Sequence, residues 1–253
     1  MSIAFSKLHT RQEVIAMIRH SENGQRLQHK HGNPDIDKSL TQYNVDAAKL
    51  GYWGTIHAYD QRIEEIDQHN TNRRRDRVTC FELSIPFPQL AADKWKQCEK
   101  VMLDWLRQTF GVNLINSFIH YDEIHLYQDH GEIKKSRPHI HAFVVPEVGG
   151  KLNGKAFSAR KEMVRLNQEL DSEIRSKLGV PFLTHETPRH KTVEELKLQS
   201  YKDLLTAVQD KDKELSKRVQ QLKQLDDFQE MVELYKQVYD DDLEILKKKQ
   251  KSR

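Results

Sequence analysis

The sequence predicts an α+β domain, a central antiparallel sheet flanked by helices, followed by a long helical C-terminal extension. Three observations carry this. Strand-like and helix-like segments follow one another in mixed order rather than as a regular strand–helix repeat. Two apolar runs, Leu114 to Tyr127 and His139 to Val145, are separated by a polar insert containing Gly131 and read as an antiparallel pair. From Val193 onward the chain has no Gly or Pro, and apolar residues recur every three or four positions.

Taken in order, Ile3 to Leu8 reads as a short strand. Val14, Ile15 and Ile18 form one face of a short helix ending near Arg19 and His20. Ser21 to Asp37 is polar, contains Gly24, Gly32 and Pro34, and reads as a long loop. Tyr59, Ile63 and Ile66 predict a helix ending near Asn70, ahead of the basic run Arg73-Arg74-Arg75. Val78 to Phe87 is a strand stopped by Pro86 and Pro88. Trp95, Cys98, Met102, Trp105 and Leu106 share a helical face that Gly111 ends. Lys155 to Leu178 is helical, with Met163, Leu166, Leu170 and Ile174 in its buried stripe. In the C-terminal extension the apolar positions are Leu215, Val219, Leu222, Leu225, Phe228, Met231, Tyr235 and Val238, with charges between them. The predicted division is residues 1–186 for the sheet domain and 187–253 for the extension.

Composition narrows the classes of function. The chain has 253 residues, of which 37% are hydrophobic and 31% charged, with a mean hydropathy of -0.80. No run approaches the roughly 18 uncharged apolar residues that span a bilayer. The opening stretch lacks the apolar segment of a secretory signal, and two cysteines cannot build a disulfide framework. A cytoplasmic location is expected, with no membrane partner. Net charge is +3. Thr187 to Arg253 carries 15 basic against 14 acidic residues, so neither part is a basic block. Charge alone does not point to nucleic acid.

The histidines are more informative. In Pro138-His139-Ile140-His141, residues i and i+2 of a strand face the same way, so His139 and His141 present two imidazoles side by side. Two neutral imidazoles make half of a divalent-metal site. His120, at the end of the preceding apolar run, supplies the third ligand if the strands pair antiparallel, and Glu123 follows close by. An isolated pair of strand histidines is more often an ordinary surface feature. Here the pair sits in a hydrophobic strand, where a polar ring needs a partner. His29 and His31 repeat the spacing in a Gly-containing loop and receive no metal.

His120-Tyr121-Asp122-Glu123, then Pro138-His139-Ile140-His141 and Val145-Pro146, resembles the third motif of the Mob/Pre (V-type Mob) plasmid mobilisation relaxases. These belong to the wider HUH endonucleases. The chain departs from the family pattern in the longer link Ile124 to Arg137, which reads as a hairpin extension. Arg19-His20-Ser21-Glu22-Asn23 resembles the first motif, with Asn23 where the family carries arginine and Arg26 as the candidate substitute. Asn33-Pro34-Asp35-Ile36-Asp37 and Tyr43-Asn44-Val45 partly match the next motif. The resemblance covers roughly residues 1–150.

The resemblance implies an enzyme that nicks one strand at an origin of transfer. It stays joined to the 5′ phosphate and later rejoins the strand. It implies Mg²⁺ or Mn²⁺ held by His120, His139 and His141. His20 is the implied nucleophile, through a phosphoramidate, with Tyr43 as the alternative. A neutral imidazole is available near pH 7, whereas a phenol of pKa about 10 needs activation. Glu123 is then a general base or an orienting group, and Asp122 can serve in the second role. Arg26, Arg73, Arg74, Arg75, Arg77, Lys134, Lys135 and Arg137 are the candidate DNA contacts. The partner is single-stranded or hairpin origin DNA, with homodimerisation or accessory transfer proteins through the C-terminal helix. Two other classes stay open. A rolling-circle replication initiator or HUH transposase uses a tyrosine on a helix after the metal motif, and Lys155 to Leu178 contains none. A non-enzymatic DNA-binding dimerisation module requires the ordered histidines to be incidental.

Overall fold

The computed structural model describes residues 2–28, 36–70, 74, 76–123, 126–129 and 132–183, and most positions between 202 and 240. The chain divides into two units, Met1–Leu126 with Lys134–Lys191, and Tyr127–Ile133 with Thr192–Arg253. The first unit holds an antiparallel five-stranded sheet in the order β1-β3-β7-β4-β2. Its strands are β1 (Ala4–Leu8), β2 (Val45–Asp46), β3 (Cys80–Pro86), β4 (Leu114–His120) and β7 (His139–Val144). Between β4 and β7 lies a separate two-stranded hairpin, β5 (Leu126–Asp129) with β6 (Glu132–Lys135), in agreement with the predicted extension. A second small hairpin, β8 (Glu147–Val148) with β9 (Lys151–Leu152), follows β7.

Alternation along β3, β4 and β7 sends the two sheet faces into different cores. Phe81, Leu83, Ile85, Ile119, Ile140, Ala142 and Val144 pack with α4 (Trp95–Phe110) and α6 (Arg160–Leu178), through Cys98, Met102, Leu106, Leu166, Leu170 and Ile174. Cys80, Phe118 and Phe143 face the other way, onto Val14 and Ile18 of α1 (Arg11–Ser21) and Ile56, Tyr59 and Ile66 of α3 (Gly51–Gln68). Both cysteines are buried and free, and burial pushes the Cys98 thiol up to about 12, so it is protonated at neutral pH.

Local chemistry places the element ends. Thr10 caps α1 in a reciprocal capping box with Glu13, and the helix runs on to Ser21, leaving His20 in its last turn. Gly111 ends α4 at a φ of 52°.

Three readings are corrected, and three short strands are new. The expected loop from Ser21 contains a helix, α2 (Asn23–Gln28), because Arg26 turns inward to a buried partner. The apolar run from Leu114 leaves the sheet at His120, where Asp122 takes up that same partnership. The single helix expected from Lys155 is two, α5 (Gly154–Phe157) and α6, with Asn153 capping α5 through a bond to the Ala156 N–H. At Gly154 a Cβ would sit 2.7 Å from the Val78 Cβ, so only glycine allows this approach. The two-residue strands β2, β8 and β9 were not anticipated, since two residues carry no periodicity.

In the second unit the described residues between 202 and 240 are helical, and Leu215, Val219, Leu222 and Met231 are about half exposed or more. Leu225, Phe228, Tyr235 and Val238, together with His29, His31 and the 33–35 part of the second motif, lie outside the described residues. Among the described residues no helix is long and apolar enough to cross a membrane.

Candidate active site

The register of the central strands assembles a cluster on the α1 side of the sheet. His120 of β4 pairs directly with His139 of β7, and His141 pairs with Phe118 on one side and Ser84 on the other. Paired residues share a face, so the three imidazoles converge. Their ring centroids are 5.3 Å (His120–His139), 4.6 Å (His120–His141) and 4.8 Å (His139–His141) apart. Glu123 enters from the turn after β4, with Oε2 3.2 Å from His139 Nε2 and 3.8 Å from His120 Nδ1. One ligand atom from each of these four residues lies within 4.8 Å of the others.

Hydrogen bonds fix the tautomers. The Ser21 carbonyl can only accept, so His120 donates from Nε2 at 2.9 Å and keeps a lone pair on Nδ1. The Glu82 carboxylate accepts from His141 Nδ1 at 2.6 Å, which leaves the lone pair on Nε2. His120 Nδ1 and His141 Nε2 are both buried without a hydrogen-bond partner, a costly arrangement unless they serve as ligands. Burial pushes the His120 and His139 imidazoles below their usual value, against the pull of Glu123, so both are neutral at pH 7. Burial alone would raise the Glu123 carboxyl. His120 and His139 outweigh it and hold the group well below the usual carboxylate range. Three imidazoles and one carboxylate suit a divalent cation, and the two orphaned nitrogens fit one. Glu123 is one of the four residues whose ligand atoms could hold the cation, at a distance from His139 that also suits an orienting carboxylate.

His20, in the last turn of α1, brings its ring 5.9 Å from that of His141 and 6.2 Å from that of His120. Tyr43 lies in a 3-10 turn, Thr41–Tyr43, and is 60% exposed at the mouth of a cleft that shares His120 and Glu123 with the cluster.

Arg26 is a correction. Its side chain is fully buried, and it donates to both Asp122 carboxylate oxygens at 2.9 and 3.0 Å and to the His20 carbonyl at 2.8 Å. With no exposed surface it cannot reach a phosphate. It instead ties α2 and the end of α1 to the turn carrying Glu123, and Thr41 adds a 2.7 Å bond to Asp122. Arg77 is held by Asp67 and Arg74 by Asp76, on the chain leading into β3, the strand whose far end reaches His139 through Pro86. Arg74 is largely exposed and Arg77 partly so. Arg137 lines the cleft. Arg73, Arg75 and the side chains of Lys134 and Lys135 lie outside the described residues.

Residue reasoning missed Glu82, although a lone carboxylate in the strand Cys80–Pro86 was a legible signal. It also missed Tyr121 as a cleft wall and read Trp95 only as core. Nothing in a single sequence marks either one.

Residues 2–181 match the family model described as plasmid recombination enzyme. The chain belongs to this family, Mob/Pre. Among its Mob/Pre relatives, a plasmid recombination enzyme of Streptococcus agalactiae is 28% identical over 184 residues, covering 70% of this chain and 35% of that protein. One from Bacillus sp is 27% identical over 167 residues, covering 62% and 36%. The chain therefore spans about a third of the length of these relatives. Among solved structures, Mn-bound MobM relaxase domains in complex with plasmid pMV158 oriT DNA superpose with TM-scores of 0.55 and 0.57 at 21% and 20% identity. Each covers 78% of this chain and 98% or 99% of the MobM domain. At these identities the likeness establishes a shared fold.

Proposed function

We propose that this Mob/Pre chain is a DNA relaxase, which nicks and rejoins one strand at an origin of transfer for plasmid or mobile-element mobilisation. The observation that carries the reading is His20 with its ring about 6 Å from those of His120 and His141, in a largely buried His120–His139–His141–Glu123 ligand set. The MobM domains of the same fold are Mn-bound and bound to oriT DNA, which supports a divalent cation here, Mn²⁺ or Mg²⁺, and single-stranded or hairpin origin DNA as substrate. When bound, the cation supplies positive charge to the scissile phosphate and to the charge that develops on its oxygens.

The chain's own residues do the rest. A ring nitrogen of His20 attacks phosphorus, and the N–P bond forms as the P–O3′ bond breaks. The electron pair leaves on the 3′ oxygen, which takes up a proton to become the free 3′ hydroxyl as the phosphorylated ring gives up its remaining N–H proton. The 5′ phosphate stays on His20 as a phosphoramidate, and the reverse attack by a 3′ hydroxyl reseals the strand. Arg26 holds the His20 backbone carbonyl and so positions the end of α1. Glu82 and Ser21 orient His141 and His120.

Covalent trapping tests this. Purified protein with Mn²⁺ and labelled single-stranded origin DNA forms an adduct, and mass spectrometry of the linked peptide reports His20. The bond breaks in acid and survives mild base. His20→Ala forms no adduct, and His139→Ala loses both cation binding and nicking while remaining folded. An acid-stable adduct that disappears in Tyr43→Phe moves the nucleophile to Tyr43, and full nicking by His139→Ala removes the metal site from the reaction.

A further inference from the structure

The cleft beside the histidine cluster has a volume of about 400 Å³. Its walls come from segments far apart in sequence. Tyr43 stands on the 3-10 turn, Trp95 opens α4, Tyr121 follows β4, and Arg137 precedes β7. Its inner end is formed by His120 and Glu123, members of the ligand set, so whatever fills it lies directly beside whatever those ligands engage.

The chemistry of these walls is specific. The Trp95 and Tyr121 rings lie 5.9 Å apart, only 33° from parallel, and Phe87 braces Tyr121 edge-on at 6.2 Å. The Tyr121 hydroxyl donates to Glu99 at 2.9 Å, which fixes the ring's tilt. Lys96 Nζ sits 5.6 Å from the centroid of the same ring. Tyr43, 60% exposed, offers a third aromatic group at the entrance. A solvated cleft with aromatic walls, an arginine at its edge and a cation-ligand set at its end has the features of a single-nucleotide site. Base faces stack on aromatic rings whatever the base, and phosphates meet cations. A small apolar metabolite would leave Arg137 and the shared ligand wall without a role.

We propose that this cleft takes up the base of the nucleotide adjoining the scissile phosphate, stacked against Trp95 and Tyr121 and closed by Tyr43, with Arg137 on the neighbouring backbone phosphate. The proposal rests on the nicking reading above and gives Tyr43 a binding role in place of a nucleophilic one. Stacking there holds the strand so that its phosphate stays within reach of His20.

The test compares the full chain with Mn²⁺ on two fluorescent probes of equal length and charge, single-stranded oligo(dT) and a fully abasic oligomer. Wild-type protein binds oligo(dT) more tightly. Tyr43→Ala and Trp95→Ala each weaken oligo(dT) binding by about 5- to 150-fold, the range for losing one base–aromatic stack. Both leave abasic binding and Mn²⁺ affinity unchanged. Tyr43 is exposed, so Tyr43→Ala carries the test alone if Trp95→Ala does not fold. Equal loss on both probes, or no loss on either, overturns the base site. The two readings fail separately. A trapped adduct without a base-dependent loss sinks the cleft proposal and leaves the relaxase reading standing. A base-dependent loss without any adduct in the wild type sinks the relaxase reading and the placement beside a scissile phosphate, and leaves only the stacking of a base in the cleft.

Discussion

Arg26 offers the sharpest separation between a structural and a DNA-contacting arginine. Arg26→Met removes a guanidinium whose side chain, like that of Asp122, has no exposed surface. It breaks two charge-assisted bonds to Asp122 and one to the His20 carbonyl. Removing one partner of a buried pair strands the other charge, at a cost of about 3–5 kcal/mol. At roughly 2–4 °C per kcal/mol for a domain of this size, Tm falls by about 6–20 °C. Adding Asp122→Leu restores part of that loss, since no stranded charge remains. Urea denaturation of the two single variants and the double gives the coupling energy. The companion assay is the salt dependence of single-stranded DNA binding. Each phosphate contact contributes about 0.7 to the log–log slope, and Arg26→Met leaves that slope unchanged. A stability loss under about 1 kcal/mol, together with a slope reduced by about 0.7, would refute the reasoning and return Arg26 to the DNA.

Three further outcomes follow from particular contacts. Glu82→Ala frees the His141 ring and lowers Mn²⁺ affinity by about 10- to 100-fold by calorimetric titration, while Glu82→Gln, which still accepts from Nδ1, retains most of it. Asp171 accepts from Arg175 at 2.6 Å and from the backbone N–H groups of Phe182 and Leu183 at 2.7 and 2.8 Å. Burial pushes its carboxyl up, but these bonds prevail and its pKa is lowered. Its stabilisation is therefore present above the unfolded value of about 3.9 and lost as pH falls through the lower folded value, so Asp171→Ala is less stable than wild type at pH 6 by about 1.5–3 kcal/mol and the gap closes in acid. Removing residues 194–253 leaves covalent joining to a short oligonucleotide intact, because no candidate chemical group maps there; a folded but inactive truncation moves the proposed boundary at residues 186 and 187.

Much of the site was legible because strand periodicity is local. Alternation alone puts His139 and His141 on one face, and two adjoining apolar runs make His120 their natural cross-strand partner, which the register confirms. The helix stripes of α4 and α6 were readable for the same reason, since a 3.6-residue period needs no knowledge of what it packs against. Groups that act across strand order were not readable. Glu82 meets His141 only because β3 lies beside β7, 59 residues away in sequence. Arg26 looked like a loop cation and became a buried anchor because Asp122, 96 residues on, turns into the same space. Trp95 and Tyr121 carry the same apolar pattern whether they fill a core or wall a cleft, and exposure is decided by which elements cover them. The sequence by itself determined which residues share a strand or helix face, because that geometry repeats within a few residues. Only the tertiary structure decided which faces meet, because pairing order and burial are settled by packing between segments that have no local relation.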